Sequence, residues 1–268
     1  MTRSLRPLGL GLTNVQFQTA ISSIYGKPRM SFCHSVESQV ADRLRYRLGF
    51  YRGGPVLMSA LAGIDIALWD LKARRLHVPL YQLFGGKVRQ RVKVYAWIGG
   101  DRPRDVEVAA KERHAQGFRA IKMNATEDVD WLDSPKVLEA SVERLKTVKA
   151  LGMDAGLDFH GRIHKPMSKQ LAKALEPHHP LFIEEPLLSE HSEGIKQLSL
   201  LTTIPIALGE RLYSRWDVKR FLEDASVDVL QPDASIDRDA TSTHDLLILI
   251  SDLALWRYFR TTQDCCNG

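Results

Sequence analysis

Acidic residues recur in this chain at a fixed interval: Asp158, Glu184 and Glu210 follow one another 26 residues apart. Each lies in or just past a short apolar run, MDAGLDF around Asp158, LFIEE around Glu184 and IPIALGE closing at Glu210. Between the runs lie stretches of helical composition, SKQLAKALEP and EGIKQLSLL. Such a rhythm admits few architectures, because strand and helix must alternate at nearly constant length. A β/α barrel uses roughly 30 residues per strand-and-helix unit and gathers its chemistry at the C-terminal ends of the strands. The spacing therefore predicts three carboxylates at one barrel mouth. Like charges so gathered repel unless a cation lies between them, and all-oxygen ligation suits Mg²⁺. Asp158, Glu184 and Glu210 are the expected metal ligands.

The rest of the chain extends the rhythm upstream. PVLMSALAGIDIALWDLKARRL (55–76) predicts a helix: Met58, Leu61, Ile64, Ala67, Leu68 and Leu71 recur at three and four residues, and Pro55 suits the first turn. Met58 and Trp69 are expected in the core. Strands are expected at 91–100, 118–124, 154–159, 181–184, 204–208 and 227–233, each followed or preceded by a helical stretch. Regular alternation implies a parallel α/β fold. The fold class expected is an incomplete (β/α) TIM-type barrel of about six strands, since a closed barrel of this type has eight. After Asp233 the rhythm stops. HDLLILISDLALWRYF (244–259) reads as an apolar helix, and residues 1–48 show no sustained period.

Composition narrows the function. The net charge of +5 tempts a nucleic-acid reading. Residues 1–52, however, hold eight Lys/Arg against two acids, so the excess belongs to the first fifth of the chain and lacks interleaved aromatics. Neither nucleic acid nor membrane is expected as a partner, because no stretch of 18 or more apolar residues occurs. The N-terminus has no sustained apolar core, and Cys33, Cys265 and Cys266 are too few for a disulfide framework. A cytoplasmic, reducing setting is expected.

Several segments together resemble the enolase superfamily in its mandelate racemase branch, nearest to the galactonate dehydratase group. They are GFYRGGPVLMSALAGIDIALWDLKA (49–73), GFRAIKMN (117–124), DFHGRIHKPM (158–167), FIEEP (182–186), IPIALGERLYSRWD (204–217) and VDVLQPD (227–233). The resemblance implies one Mg²⁺ on Asp158, Glu184 and Glu210, and removal of the proton α to the carboxylate of an aldonic acid. Loss of the β-hydroxyl then gives a 2-keto-3-deoxy acid. It further implies a homo-oligomer, a remnant of an α+β capping domain at 1–90, a barrel domain at 91–235 and a tail at 236–268 outside the family pattern. The chemistry needs a pre-placed cation for the developing charge and an acid for the departing hydroxyl.

The resemblance gives individual residues roles, each with a plainer alternative. His160 would be the acid that protonates the leaving hydroxyl, or else a polar loop histidine. Lys122 and Asn124 would bind substrate; Lys-Met-Asn replaces the Lys-x-Lys of many relatives, so a two-base racemase is disfavoured, and Asn124 otherwise serves the loop. Asp233 would orient a histidine base at the seventh strand. No A-P-H pattern follows it, and His244 is the only later histidine in this chain. Glu185, next to Glu184, should point to the opposite side of its strand and support from behind. The missing base predicts impaired turnover. A metal-binding or inert remnant is the competing reading, and open edges on strands one and six predict poor solubility or self-association.

Overall fold

Six short strands pair in chain order, all parallel, in one sheet. The computed structural model describes residues 54–87, 90–99, 103–127 and 129–233. Expectations for residues 1–48, for His244 and for the tail from 236 lie outside the described residues.

Helix α1 (Pro55–Leu76) begins behind Gly54 at φ 80° with Pro55 in its first turn, and ends at left-handed His77 with Arg74 and Arg75 in its last turn. A one-turn α2 (Leu80–Leu83) follows. The barrel units then alternate: β1 (Ala96–Trp97), α3 (Pro103–Ala115), β2 (Ala120–Asn124), α4 (Glu139–Ala150), β3 (Asp154–Asp158) and α5 (Lys165–Leu175). They continue as β4 (Phe182–Glu184), α6 (Ser192–Ser199), β5 (Ile206–Leu208), α7 (Arg215–Glu223) and β6 (Val229–Leu230). All six expected strands exist, in shorter form. The first is the most shortened: Val92 and Val94, expected within it, are exposed and lie off the ladder.

Strand alternation divides the sheet into two faces. One face sends Ile121, Met123, Leu157, Ile183, Ile206 and Leu208 into a single apolar cluster with Val106, Leu145, Leu171, Ile195 and Phe221 of the helices. Burying each such side chain contributes about 1.5–3 kcal/mol. The helices fit because their apolar residues share a face; on α5 these are Met167, Leu171, Ala172 and Leu175. The other face carries a smaller cluster of Phe182, Ala207 and Val229 with Tyr95. Gly156 is needed there: a Cβ at this position would stand 2.4 Å from Cζ of Phe182. Tyr95, just before β1, donates its hydroxyl to Oε1 of Gln231, just after β6, at 3.1 Å. The sheet therefore curls far enough to bring its two edges within a hydrogen bond across the interior.

Helix α1 corrects one expectation. Met58 and Leu61 are buried with Ile64 and Tyr213 beside them, but Ala67 and Leu71 of the same stripe are exposed and Trp69 is only partly buried. The N-terminal half of the helix is the half that meets the barrel. Trp69 instead packs on Phe84, ring centroids 4.7 Å apart, under the Lys72 ammonium.

Candidate metal centre

Asn124, Asp158 and Glu184 end β2, β3 and β4, and the register makes Asn124 opposite Asp158 and Asp158 opposite Glu184. Residues on one rung of a parallel sheet point to the same side, so all three face the interior near its C-terminal mouth. Lys122, two residues before Asn124, shares that face. Its Nζ donates to Oδ2 of Asp158 at 2.8 Å and to Oε2 of Glu184 at 2.5 Å. Oδ1 of Asp158 accepts the backbone N–H of His160 at 2.9 Å, and Nε2 of His160 stands 3.4 Å from Oδ2. Donor atoms of Asp158, His160 and Glu210 lie within 4.8 Å of one another.

The third carboxylate breaks the expected symmetry. Glu184 pairs in register with Ala207, so Glu210 sits three residues past that rung, in the turn after β5. Equal spacing along the chain measures the length of a whole unit, helix included, and not a common rung. Glu184 is not among the three residues whose donor atoms gather within 4.8 Å; its Oε2 accepts from Lys122, as Oδ2 of Asp158 also does.

Burial dominates the electrostatics. Desolvation, reinforced by the Asp158 carboxylate, raises the pKa of Glu184, while Lys122 and the Gln231 amide oppose the shift. Oε1 of Glu184 is buried without a hydrogen-bond partner among the described residues. A buried acceptor so placed is costly unless a cation or donor meets it. Two carboxylates of the cluster, the orphaned oxygen of Glu184 and an imidazole make a donor set that suits a hard divalent ion.

Two neighbouring residues adopt left-handed backbone conformations without being glycine: His160 at φ 52° and Glu185 at φ 42°. Such conformations cost on the order of 1–3 kcal/mol each and gather at functional sites. The turn at Glu185 also undoes the expected alternation, because β4 ends at Glu184. Glu185 is fully buried, and its Oε1 accepts the N–H of Gly209 at 3.0 Å. Desolvation first, then the charges of Glu210, Glu184 and Asp158, push its pKa up to about 8 against one stabilising bond from Gly209.

Trp97 is a residue that sequence reasoning missed. It ends β1 with its ring 5.4 Å from Nζ of Lys122 and edge-on to His160 at 6.0 Å. A position at a strand end was legible; the indole's orientation was not. Asp233 follows β6, partly buried, and His244, the one later histidine of this sequence, lies outside the described residues. His164 stacks on Trp131 with ring centroids 4.0 Å apart. No helix among the described residues is long and apolar enough to cross a membrane.

A parallel sheet curled into part of a barrel, with acids at successive strand ends, defines a class. Family models match in both parts of the chain: the mandelate racemase / muconate lactonizing enzyme N-terminal domain over residues 13–85, and the enolase C-terminal domain-like family over 105–237. The chain belongs to the mandelate racemase branch of the enolase superfamily. The N-terminal match begins inside the segment expected to depart from the family. The D-galactonate dehydratase of Variovorax paradoxus (strain S110) is 50% identical over 204 residues, which is 75% of this chain and 53% of that protein. The D-galactonate dehydratase of Ralstonia pickettii (strain 12J) is 51% identical over 193 residues, 71% of this chain and 50% of that protein. This chain thus spans about half the length of these curated relatives. Among solved structures, the 3,6-anhydro-D-galactonate cycloisomerase from Zobellia galactanivorans matches with a TM-score of 0.76 and 27% identity, over 86% of this chain and 64% of that one. An enolase-superfamily member from Salmonella Typhimurium shares the fold, with a TM-score of 0.80 at 24% identity over 86% of this chain and 66% of that one.

Proposed function

We propose that this chain carries the metal-binding wall of an acid-sugar dehydratase acting on a six-carbon aldonic acid such as galactonate. The observation that carries the reading is the convergence of Lys122, Asp158, His160, Glu184 and Glu210 at the mouth of adjacent parallel strands. Support for the substrate class comes from the D-galactonate dehydratases that are half identical to the chain.

Asp158, Glu184 and Glu210 would hold the divalent ion, Mg²⁺ by their hard oxygen donors. When bound, it would neutralise the charge that gathers on a substrate carboxylate as the α-proton leaves. His160 is the acid for the β-hydroxyl. Its Nε2 faces Asp158 at 3.4 Å, and its side chain is 27% exposed, open to an incoming substrate. Asn124 would offer a donor to substrate oxygens; Lys122 on the same face, expected to do likewise, has its buried ammonium between Asp158 and Glu184, and the Trp97 ring lies beside it. Asp233 would orient the base that removes the α-proton. The residues of this chain after it contain one histidine, His244, outside the expected pattern. Among the described residues β1 and β6 each pair on one side only, which supports self-association as a homo-oligomer.

The competing reading is a metal-binding protein without turnover, favoured by the donor atoms of Asp158, His160 and Glu210, which can hold an ion whether or not a reaction follows. Calorimetric titration with Mg²⁺, followed by assay of 2-keto-3-deoxy acid from galactonate, separates the two. The expected result is Mg²⁺ binding with dehydration. Binding without any product leaves the second reading, and absence of binding removes the metal centre altogether.

A further inference from the structure

We propose that Glu185 is a positioning residue that ties the turns carrying His160 and Glu210 together and so sets the spacing of the metal cluster. This rests on the metal-site reading above.

Three bonds radiate from this one residue. Its backbone N–H donates to the carbonyl of Ala207 on β5 at 3.0 Å. Its carbonyl accepts the N–H of Gly161, the residue after His160, at 2.8 Å. Its Oε1 accepts the N–H of Gly209, the residue before Glu210, at 3.0 Å. One residue at the end of β4 therefore holds the turn after β3 through its backbone carbonyl and the turn after β5 through its side chain. The left-handed backbone of Glu185, at φ 42°, makes this possible, because it swings the side chain out of strand alternation toward β5.

The turn after β5 has no freedom to drift away. A Cβ on Gly209 would stand 2.3 Å from the carbonyl carbon and oxygen of Gln231, so its backbone is wedged between the Glu185 carboxylate and the segment after β6. Gly161 is held in a similar way: its added Cβ would meet Cδ2 of Leu188 at 2.8 Å, and its φ of 63° restricts the position to glycine. The turns that carry His160 and Glu210 thus each rest on a glycine that packs closely on a neighbour and donates to Glu185. Asp158 and Glu184 need no such device, since they end strands and are fixed by the ladder.

The tie requires an acceptor at Glu185, not a charge. The test compares the full chain with its Glu185→Gln and Glu185→Met variants, reading Mn²⁺ affinity and line shape by electron paramagnetic resonance. Exchange of the Gly209 amide is followed in parallel by hydrogen exchange. The Gln variant should keep wild-type Mn²⁺ affinity and a slow Gly209 amide. The Met variant, similar in length but without an oxygen, should bind Mn²⁺ roughly 10–100-fold more weakly, the usual loss for a group that orients a ligand, with a changed line shape and faster Gly209 exchange. Should the Met variant fail to fold, Glu185→Gly relieves the left-handed backbone while removing the acceptor, and the same losses are expected. Equal losses in Gln and Met, or wild-type behaviour in Met, overturn the proposal. If wild type binds no Mn²⁺ while Gly209 is slow in wild type and Gln and fast in Met, the tie stands and the metal reading falls.

Discussion

Lys122, Asp158 and Glu184 have side chains only 1% exposed, whereas the His160 side chain beside them is 27% exposed and Glu210 is partly exposed. The buried half is a closed network: one ammonium lies between two carboxylates, and every member stands on a strand fixed in register. The open half stands on turns, held by glycine N–H groups and by Glu185. Strands supply rigidity and turns supply access, so the half that would meet substrate hangs from the half that the ladder fixes. Damage to the two halves should accordingly show up in different measurements.

Removing the lysine should produce the largest effect. Lys122→Met leaves two buried carboxylates facing each other, and breaking a buried pair on one side costs about 3–5 kcal/mol. Urea unfolding in the presence of a chelator measures the loss, and excess Mg²⁺ should recover part of it by standing in for the ammonium. A loss below about 1 kcal/mol, the size of an exposed pair, would mean that the lysine does not hold the buried half. Next in size is the floor beneath that half. Gly156→Ala drives a methyl into the Phe182 ring at 2.4 Å, and overpacking of this kind costs about 1–3 kcal/mol. Phe182→Leu in the same chain should restore much of the loss, and additive losses would show that the two residues do not share that space.

Much of this layout was legible in the chain, for identifiable reasons. The even spacing of acids revealed barrel units because strand and helix lengths are each constrained, and A-I-K-M-N put Lys122 and Asn124 on one face by strand alternation alone. The family motifs then marked which acids mattered. Partner choice was not legible. That Lys122 bridges Asp158 and Glu184 depends on rungs contributed by three strands, and that Glu210 lies in a turn depends on where β5 ends. Glu185 escaped because alternation fails one residue past a strand, and Trp97 because β1 retains two paired residues of a ten-residue run. The half-exposed stripe of α1 misled for a third reason: helical period reveals an apolar face but not how much of its length finds a neighbour.

Acid titration sharpens the comparison at an intermediate level. Glu185 is raised from its ordinary 4.5 to about 8, burial being the first cause. The folded protein then holds this proton more tightly than the unfolded chain does, and unfolding releases it at any pH between those two values. Stability of the metal-free protein should fall as pH rises from about 4.5 to about 8 and change little through this group outside that window. Glu184, raised as well, adds a slope of the same sign. Urea midpoints at pH 5.5 and pH 8.5 read the difference, and Glu185→Gln, fixed in the neutral state, should flatten it. A wild type more stable at the higher pH would show that both acids are ionised throughout.

The smallest effect on stability should come from the open half, although its effect on chemistry is large. His160→Asn replaces the proposed acid with a side chain that tolerates a left-handed backbone better than most, so the φ of 52° imposes no new strain. The backbone N–H that Asp158 accepts is retained, as is the neighbouring Gly161 bond to Glu185. What disappears is Nε2 beside Asp158, and with it the group able to protonate a leaving hydroxyl. The unfolding free energy should stay within about 0.5 kcal/mol of wild type, as for surface substitutions away from packed features, and whatever dehydration of galactonate the chain performs should be lost. A stability loss of several times that size would make His160 a structural member of the buried half and remove the division between a rigid, pre-neutralised wall and an open, working one.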